Sequence, residues 1–200
     1  VCTRCAPTTA SSQPRSRRNF KAMKMELERP AERPGGLSIA PMATPDIAAV
    51  ARIERGCFST VWPSDAFYNE LSTNKLAHYF VGRFQDRIVG YGGIWVILED
   101  SHITTLAVDP EYRGRRFGEI LLLRLIDEAI ERGAAWMTLE VRESNTIAQQ
   151  LYRKYGFTTV TMRSGYYSDD NESALIMWAG SLKSELYRNR LRVLRARVEA

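Results

Sequence analysis

The chain is poor in the residues that staple or metallate a small protein. Three cysteines in 200 residues cannot build a disulfide framework, and the lone Cys2-x-x-Cys5 pair has no second pair to complete a zinc site. Two histidines are present, His78 and His102. Neither has a partner at metal-ligand spacing, so no metal is expected and both are read as structural. No apolar run approaches the roughly 18–20 residues that span a bilayer, and no apolar signal core lies near the start. With so little cysteine, a reducing, cytoplasmic setting without membrane contact is the expectation. Three catalytic signatures are missing as well. There is no GxxxxGK[ST] phosphate loop, no GxGxxG dinucleotide fingerprint and no GxSxG nucleophile elbow.

Acidic residues are missing from the start of the chain. Residues 1–25 carry six Lys/Arg and no Asp/Glu, residues 183–200 carry six against two, and residues 26–182 carry 16 against 21. The ends are therefore +6 and +4 and the body −5, which the overall +5 conceals. Nucleic-acid contact is an expectation for the basic tails only, not for the body. Residues 1–36 are rich in Ser, Thr, Pro and Arg and read as a disordered tail. They are either a transit peptide or sequence upstream of a start at Met23 or Met25, and the composition favours the latter.

What remains, residues 37–180, reads as one domain with an ordinary apolar content, 44% over the whole chain. Leu37 to Met42 is a first strand. Thr44-Pro45-Asp46 opens a helix, with Thr44 as cap and with Ile47, Val50, Ala51 and Ile53 on its buried face. Pro63 opens a second helix. Trp62, in the break before it, is held over a cleft or packed in the core. Cys57 is read as packing. Residues 77–84 and 87–98 form a hairpin about Gln85-Asp86, and Gly90, Gly92 and Gly93 mark a bulge or a close backbone approach. A strand over 101–108 leads through a loop into a helix carrying Leu121, Leu122, Leu125, Ile126, Ala129 and Ile130, which stops at Arg132-Gly133. A strand over 135–142, a helix capped by Ser144-Asn145, and a last antiparallel pair around a YYSDDNES loop complete a mixed α/β sheet flanked by helices. Residues 181–200 form an extra basic helix with an apolar stripe at Tyr187, Leu191, Leu194 and Val198. Docking on the body or on a second subunit is preferred to membrane or RNA contact.

The stretch from Leu106 to Glu119, LAVDPEYRGRRFGE, stands out. A strand, a basic loop with glycines and a helix start follow one another. The first amides of a helix lack internal partners and its dipole favours negative charge. Arg113, Arg115 and Arg116 add charge suited to phosphate, while Gly114 and Gly118 allow close approach. A diphosphate-bearing cofactor fits there. Glu140 lies on the strand face opposite Met137, Leu139 and Val141. It is a candidate base if that face lines a cleft, and otherwise a surface acid paired with Arg142 or another neighbour. Tyr152 shares a helix face with Asn145 and is a candidate proton donor, or a packed ring.

Taken together, ITTLAVDPEYRGRRFGEILL and LEVRESNTIAQQLYRKYGF resemble the two signatures of the GNAT N-acetyltransferases. With Tyr166-Tyr167 and CFSTVWPSDAF, the second is similar to the RimI-type subgroup, which acetylates the N-terminal alanine of ribosomal protein S18. The likeness spans about residues 37–178. It implies the GNAT fold, acetyl-CoA as co-substrate and a protein N-terminus as partner. It further implies that the backbone of Leu106, Ala107 and Val108 holds the pantetheine arm and that Arg113, Gly114, Arg115, Arg116, Phe117, Gly118 and Glu119 surround the diphosphate. Asn145 would touch the cofactor, Glu140 act as general base and Tyr152 as general acid, with Trp62 and Tyr167 near the substrate. Arg116 departs from the pattern, which has glycine there. A GNAT acting on a lysine or a small-molecule amine, and a non-catalytic ribosome- or RNA-binding module, are the alternatives.

Overall fold

The computed structural model describes residues 2–4 and 36–199. Its strands are β1 (Cys2–Arg4), β2 (Leu37–Pro41), β3 (Ala77–Phe84), β4 (Arg87–Ile97), β5 (Asp100–Val108), β6 (Trp136–Arg142), β7 (Thr158–Tyr167) and β8 (Glu172–Ala179). Its helices are α1 (Ile47–Cys57), α2 (Ser64–Ser72), α3 (Phe117–Glu131), α4 (Thr146–Lys154) and α5 (Glu185–Glu199). The sheet runs β2-β3-β4-β5-β6-β8-β7, with β1 paired to β5 off this path. Among the described strands only β5 and β6 pair in parallel, which α3 makes possible as their crossover. The expected mixed α/β class holds.

The sheet separates two cores. On one side α3 buries Leu121, Leu122, Leu125 and Ile126 against Ile103, Leu106 and Leu139, and Tyr187, Leu191 and Leu194 of α5 join the same cluster. The α5 stripe thus docks on the body. On the other side α1 sets Ile47, Val50 and Ile53 against Tyr79, Val81 and Tyr91. Glycines let helix and sheet approach. A Cβ on Gly93 would collide with the Tyr79 ring, and one on Gly90 would lie 2.8 Å from Leu121 Cδ1.

Several expectations need correction. Cys2–Arg4, placed in a disordered tail, pairs antiparallel with Thr105–Ala107. The rest of that tail lies outside the described residues. Thr44 does not cap α1; Asp46 Oδ2 instead accepts the Ala43 amide at 3.0 Å, because a 3-10 turn over Thr44–Asp46 brings that carboxylate back. Tyr166 and Tyr167 end β7 rather than sit in a loop.

One irregularity shapes everything that follows. Gly93 pairs with Thr105 and Ile94 with Ile103, so Thr104 is an extra residue in β5. Such a bulge bends its strand. Beside it, β5 and β6 pair only over Asp100–His102 and Trp136–Thr138. From there β5 runs on to Val108 and the two strands part. β4 holds one edge of β5 throughout, so the other edge opens into the gap, where β1 lies against β5 and β6. No helix among the described residues is long and apolar enough to cross a membrane.

Candidate active site

A cleft of about 1290 Å³ opens beside this gap, large enough for a sizeable organic ligand. Its walls come from the α1–α2 connection, from residues 113, 114 and 116–119, and from Arg142, Asn145 and the end of β7. Of the residues singled out from the sequence, Trp62, Val108, Arg113, Gly114, Arg116, Phe117, Gly118, Glu119, Asn145 and Tyr167 line it. Leu106, Ala107, Arg115, Glu140 and Tyr152 are not on its wall among the described residues.

The diphosphate loop follows from its own backbone. Asp109 and Pro110 start a single turn in which Asp109 Oδ1 accepts the Glu111 amide at 3.1 Å. Gly114 then adopts φ 77° and Arg116 φ 62°. A left-handed arginine costs about 1–2 kcal/mol, which explains the glycine usual at this point of the resembling pattern. The Arg116 carbonyl accepts the Glu119 amide at 2.9 Å and the Ile120 amide at 3.1 Å. The amides of residues 114–118 are thus the candidates to meet an anion.

The loop's arginines divide. Arg113 stays at the cleft, with Nε donating to the Val108 carbonyl at 3.4 Å and Nη2 to Cys57 Sγ at 3.5 Å. Arg115 leaves it and stacks 5.5 Å from the Tyr112 ring and 5.6 Å from that of Phe84. Arg116 reaches out to the Arg197 carbonyl at 2.6 Å. The Glu119 carboxylate, buried in the first turn of α3, accepts the Tyr155 hydroxyl at 2.8 Å and an ion pair from Lys154. Burial, reinforced by Glu119, pushes the Tyr155 hydroxyl well above its ordinary pKa, so it remains a donor.

The acid–base candidates come from β6, which carries Glu140, and from α4, which carries Tyr152. Glu140 is half-buried on the β6 face with Thr138 and Arg142. Its partner is not Arg142, as one alternative had it, but His102, whose Nε2 lies 3.0 Å from Glu140 Oε2. His102 Nδ1 is 2.7 Å from Thr138 Oγ1, and that hydroxyl donates to the Ser101 carbonyl at 3.4 Å. Thr138 therefore accepts from Nδ1–H, which turns Nε2 toward the carboxylate. A bare lone pair beside a carboxylate is repulsive, so a proton on the imidazole or on the carboxyl would favour this contact. His102, read as structural, is thus in contact with the candidate base. The signal that could have found it is its place in the β5–β6 register, beside Thr138 and two residues before Glu140. Tyr152 is wholly buried, its ring 5.6 Å from that of Phe157. Asn145 caps α4, its Oδ1 accepting the Ala148 amide at 3.1 Å.

The opposite lip is held by charge. Arg142 binds Asp169, Asp170 and Glu172 at 2.7–2.8 Å and lies 4.0 Å over the Tyr167 ring. Burial works against the Arg142 charge, but the three carboxylates outweigh it and hold the guanidinium protonated. The Arg142 bonds, then that from Ser59, pull Asp169 down to about 2. Ser59 belongs to the α1–α2 connection, so this contact ties that connection to the lip. Beneath it, Glu54 is fully buried. It accepts the Tyr91 hydroxyl and, at 3.0 Å, the Trp62 amide, and so fixes Trp62 at the cleft. The sequence reading passed over Glu54 among the apolar residues of α1. Cys57 packs as expected, but it also forms part of the cleft wall.

Among the described residues, no cluster of His, Cys, Asp and Glu could hold a metal ion. Residues 47–157 match the acetyltransferase (GNAT) family. A Bacillus subtilis (strain 168) protein provisionally named [ribosomal protein bS18]-alanine N-acetyltransferase is 43% identical over 137 residues, covering 68% of this chain and 91% of that protein. The crystal structure of the ribosomal-protein-S18-alanine N-acetyltransferase from Escherichia coli superposes with a TM-score of 0.67 at 31% identity, covering 72% of this chain and 94% of that one. A more distant fold neighbour, the PaiA N-acetyltransferase of Thermoplasma acidophilum solved with coenzyme A, gives a TM-score of 0.60 at 17% identity over 72% of this chain and 98% of that one. The arginine loop at a helix start, the parted strands and these likenesses lead to one conclusion: the chain belongs to the GNAT family of acetyl-CoA-dependent N-acetyltransferases.

Proposed function

We propose that the chain acetylates the N-terminal α-amine of a protein, with the N-terminal alanine of ribosomal protein S18 as substrate. The names of its relatives support that substrate. The observation that carries the chemistry is the Glu140–His102 contact between β5 and β6, where the two strands begin to part. Acetyl-CoA supplies the acyl group as a thioester. The amides of residues 114–118 and the Arg113 guanidinium hold its diphosphate, and the edge of Leu106–Val108 that faces β1 pairs with its amide-bearing arm. Trp62, Tyr167 and Asn145 bound the rest of the cleft.

The amine nitrogen attacks the thioester carbonyl carbon, forming the C–N bond as the C–S bond breaks. Glu140, as the carboxylate paired with His102, takes the proton released by nitrogen, directly or through water. Tyr152, buried behind the cleft wall, protonates the departing thiolate once the bound donor reaches it, and the cycle closes when Glu140 gives up its proton and Tyr152 regains one. The substrate class fits a modest base. An α-amine near pKa 7.7–8.0 is roughly a quarter neutral at cytosolic pH, whereas a lysine near 10.4 is only about 0.1% neutral. Holding both substrates in one cleft contributes further through orientation.

The donor arm and β1 contend for the same backbone, since Cys2–Arg4 pairs with Thr105–Ala107. Donor binding therefore displaces β1. The reading is tested with Glu140→Gln and Tyr152→Phe: both keep acetyl-CoA affinity within about twofold and lose turnover by roughly 10²-fold or more. Wild-type turnover in both variants would refute the assignment.

A further inference from the structure

The basic helix α5 lies outside residues 47–157, the part that matches the family. It is nevertheless fastened to the diphosphate loop from three sides. Tyr187 donates its hydroxyl to the Tyr155 carbonyl at 3.0 Å. Tyr155 in turn donates to Glu119 in the first turn of α3. Arg195 Nη2 binds Asp127 Oδ1 on α3 at 2.6 Å. At its far end, Arg197 presents a carbonyl to Arg116 Nη1 at 2.6 Å.

The last contact has a definite physical origin. The final four carbonyls of a helix have no intrahelical donors and sit at the negative end of its dipole. A guanidinium there satisfies a carbonyl and a charge together. Arg116 therefore serves two helix ends at once. Its side chain closes the C-terminal end of α5, while its left-handed backbone forms the N-terminal cap of α3. The same backbone shapes the loop that faces the cleft.

We propose that α5 braces the diphosphate loop, and that the Arg116 side chain positions that loop through Arg197 and is not itself a phosphate ligand. This rests on the acetyl-CoA reading. On this view the unusual arginine exchanges the conformational ease of glycine for an anchor. Docking of α5 then sets the affinity for the acyl donor, with little bearing on the chemical step.

The test is a double-mutant cycle on the full chain. Acetyl-CoA affinity is measured by calorimetry, and KM and kcat by CoA release. Arg116→Met removes the anchor and Leu191→Asp undocks α5. Should Leu191→Asp fail to fold, Tyr187→Phe with Arg195→Gln loosens α5 while keeping its apolar stripe. Each background is expected to weaken acetyl-CoA binding by roughly fivefold. Combined with Arg116→Met it is expected to be no worse than either alone, with kcat at saturating donor unchanged. If Arg116→Met weakens binding equally with α5 docked or loosened, the arginine contacts phosphate directly and the brace is refuted. A folded α5 variant with wild-type affinity refutes it too. A wild-type chain that does not bind acetyl-CoA would remove the functional reading and the brace with it.

Discussion

The diphosphate loop, which lines the cleft, and the Glu140–His102 pair, which lies off its wall, are built in different ways. The diphosphate loop is local: Asp109 to Gly118 lie in one contiguous stretch, and their hydrogen bonds to neighbouring residues shape most of it. The acid–base pair is long-range. His102, Thr138 and Glu140 meet only because β5 and β6 run parallel in a particular register, and Arg142 joins residues 27 to 30 positions away. The loop should therefore govern how tightly the donor is held, and the pair how fast it reacts. Substitutions in one should leave the other's parameter alone.

The largest break in that symmetry is expected at the pair. His102→Gln leaves Glu140 without its paired imidazole. We expect kcat to fall by at least about tenfold and the pH–rate profile to change shape, with acetyl-CoA KM unchanged. An unchanged pH profile would make His102 merely structural. The mirror experiment is Arg113→Ala at the loop. Acetyl-CoA KM should rise by roughly tenfold while kcat at saturation stays within about twofold, since one charge-assisted contact is worth about 1.5–3 kcal/mol. Steady-state kinetics on the two variants side by side would show whether the two separate.

Much of the loop was legible in the sequence because strand, basic turn and helix start are adjacent. The α5 stripe was legible for the same reason, since its period is local. The reach of Arg116 to Arg197 was not, because it depends on where a helix 81 residues away ends. The contact of His102 with Glu140 was not legible, because it appears only once β5 is set beside β6. Glu54 was passed over because a carboxylate in an apolar helix face gives no hint that Tyr91 and the Trp62 amide wait for it. Nothing in the composition of residues 1–36 marks Cys2–Arg4 as a strand, since the free edge of β5 is what recruits it.

Smaller effects sharpen the contrast further. Gly93→Ala places a methyl against the Tyr79 ring beneath the bulge. It should cost about 1–3 kcal/mol, read as a lower Tm; an unchanged Tm would mean that the sheet relaxes freely there. At the lip, the Asp169 carboxyl is held at about 2 against an ordinary 3.8. A depressed acid contributes stability that is fully present above the unfolded value and lost as pH falls through the folded one. The tie between Ser59, Asp169 and Arg142 should thus hold above about pH 4 and fail toward pH 2. A carboxyl titration of Asp169 by NMR checks this, and an ordinary midpoint near 3.8 would contradict it.

The central claim is the identity of the acetylated nitrogen. The most direct measurement gives the purified chain acetyl-CoA and a peptide bearing the S18 N-terminus with an internal lysine, then maps the product by fragmentation mass spectrometry. The account predicts one acetyl group, on the α-nitrogen of the N-terminal alanine, formed together with free CoA. Acetyl on the lysine side chain, or no transfer to the peptide by a chain that binds acetyl-CoA, would contradict it.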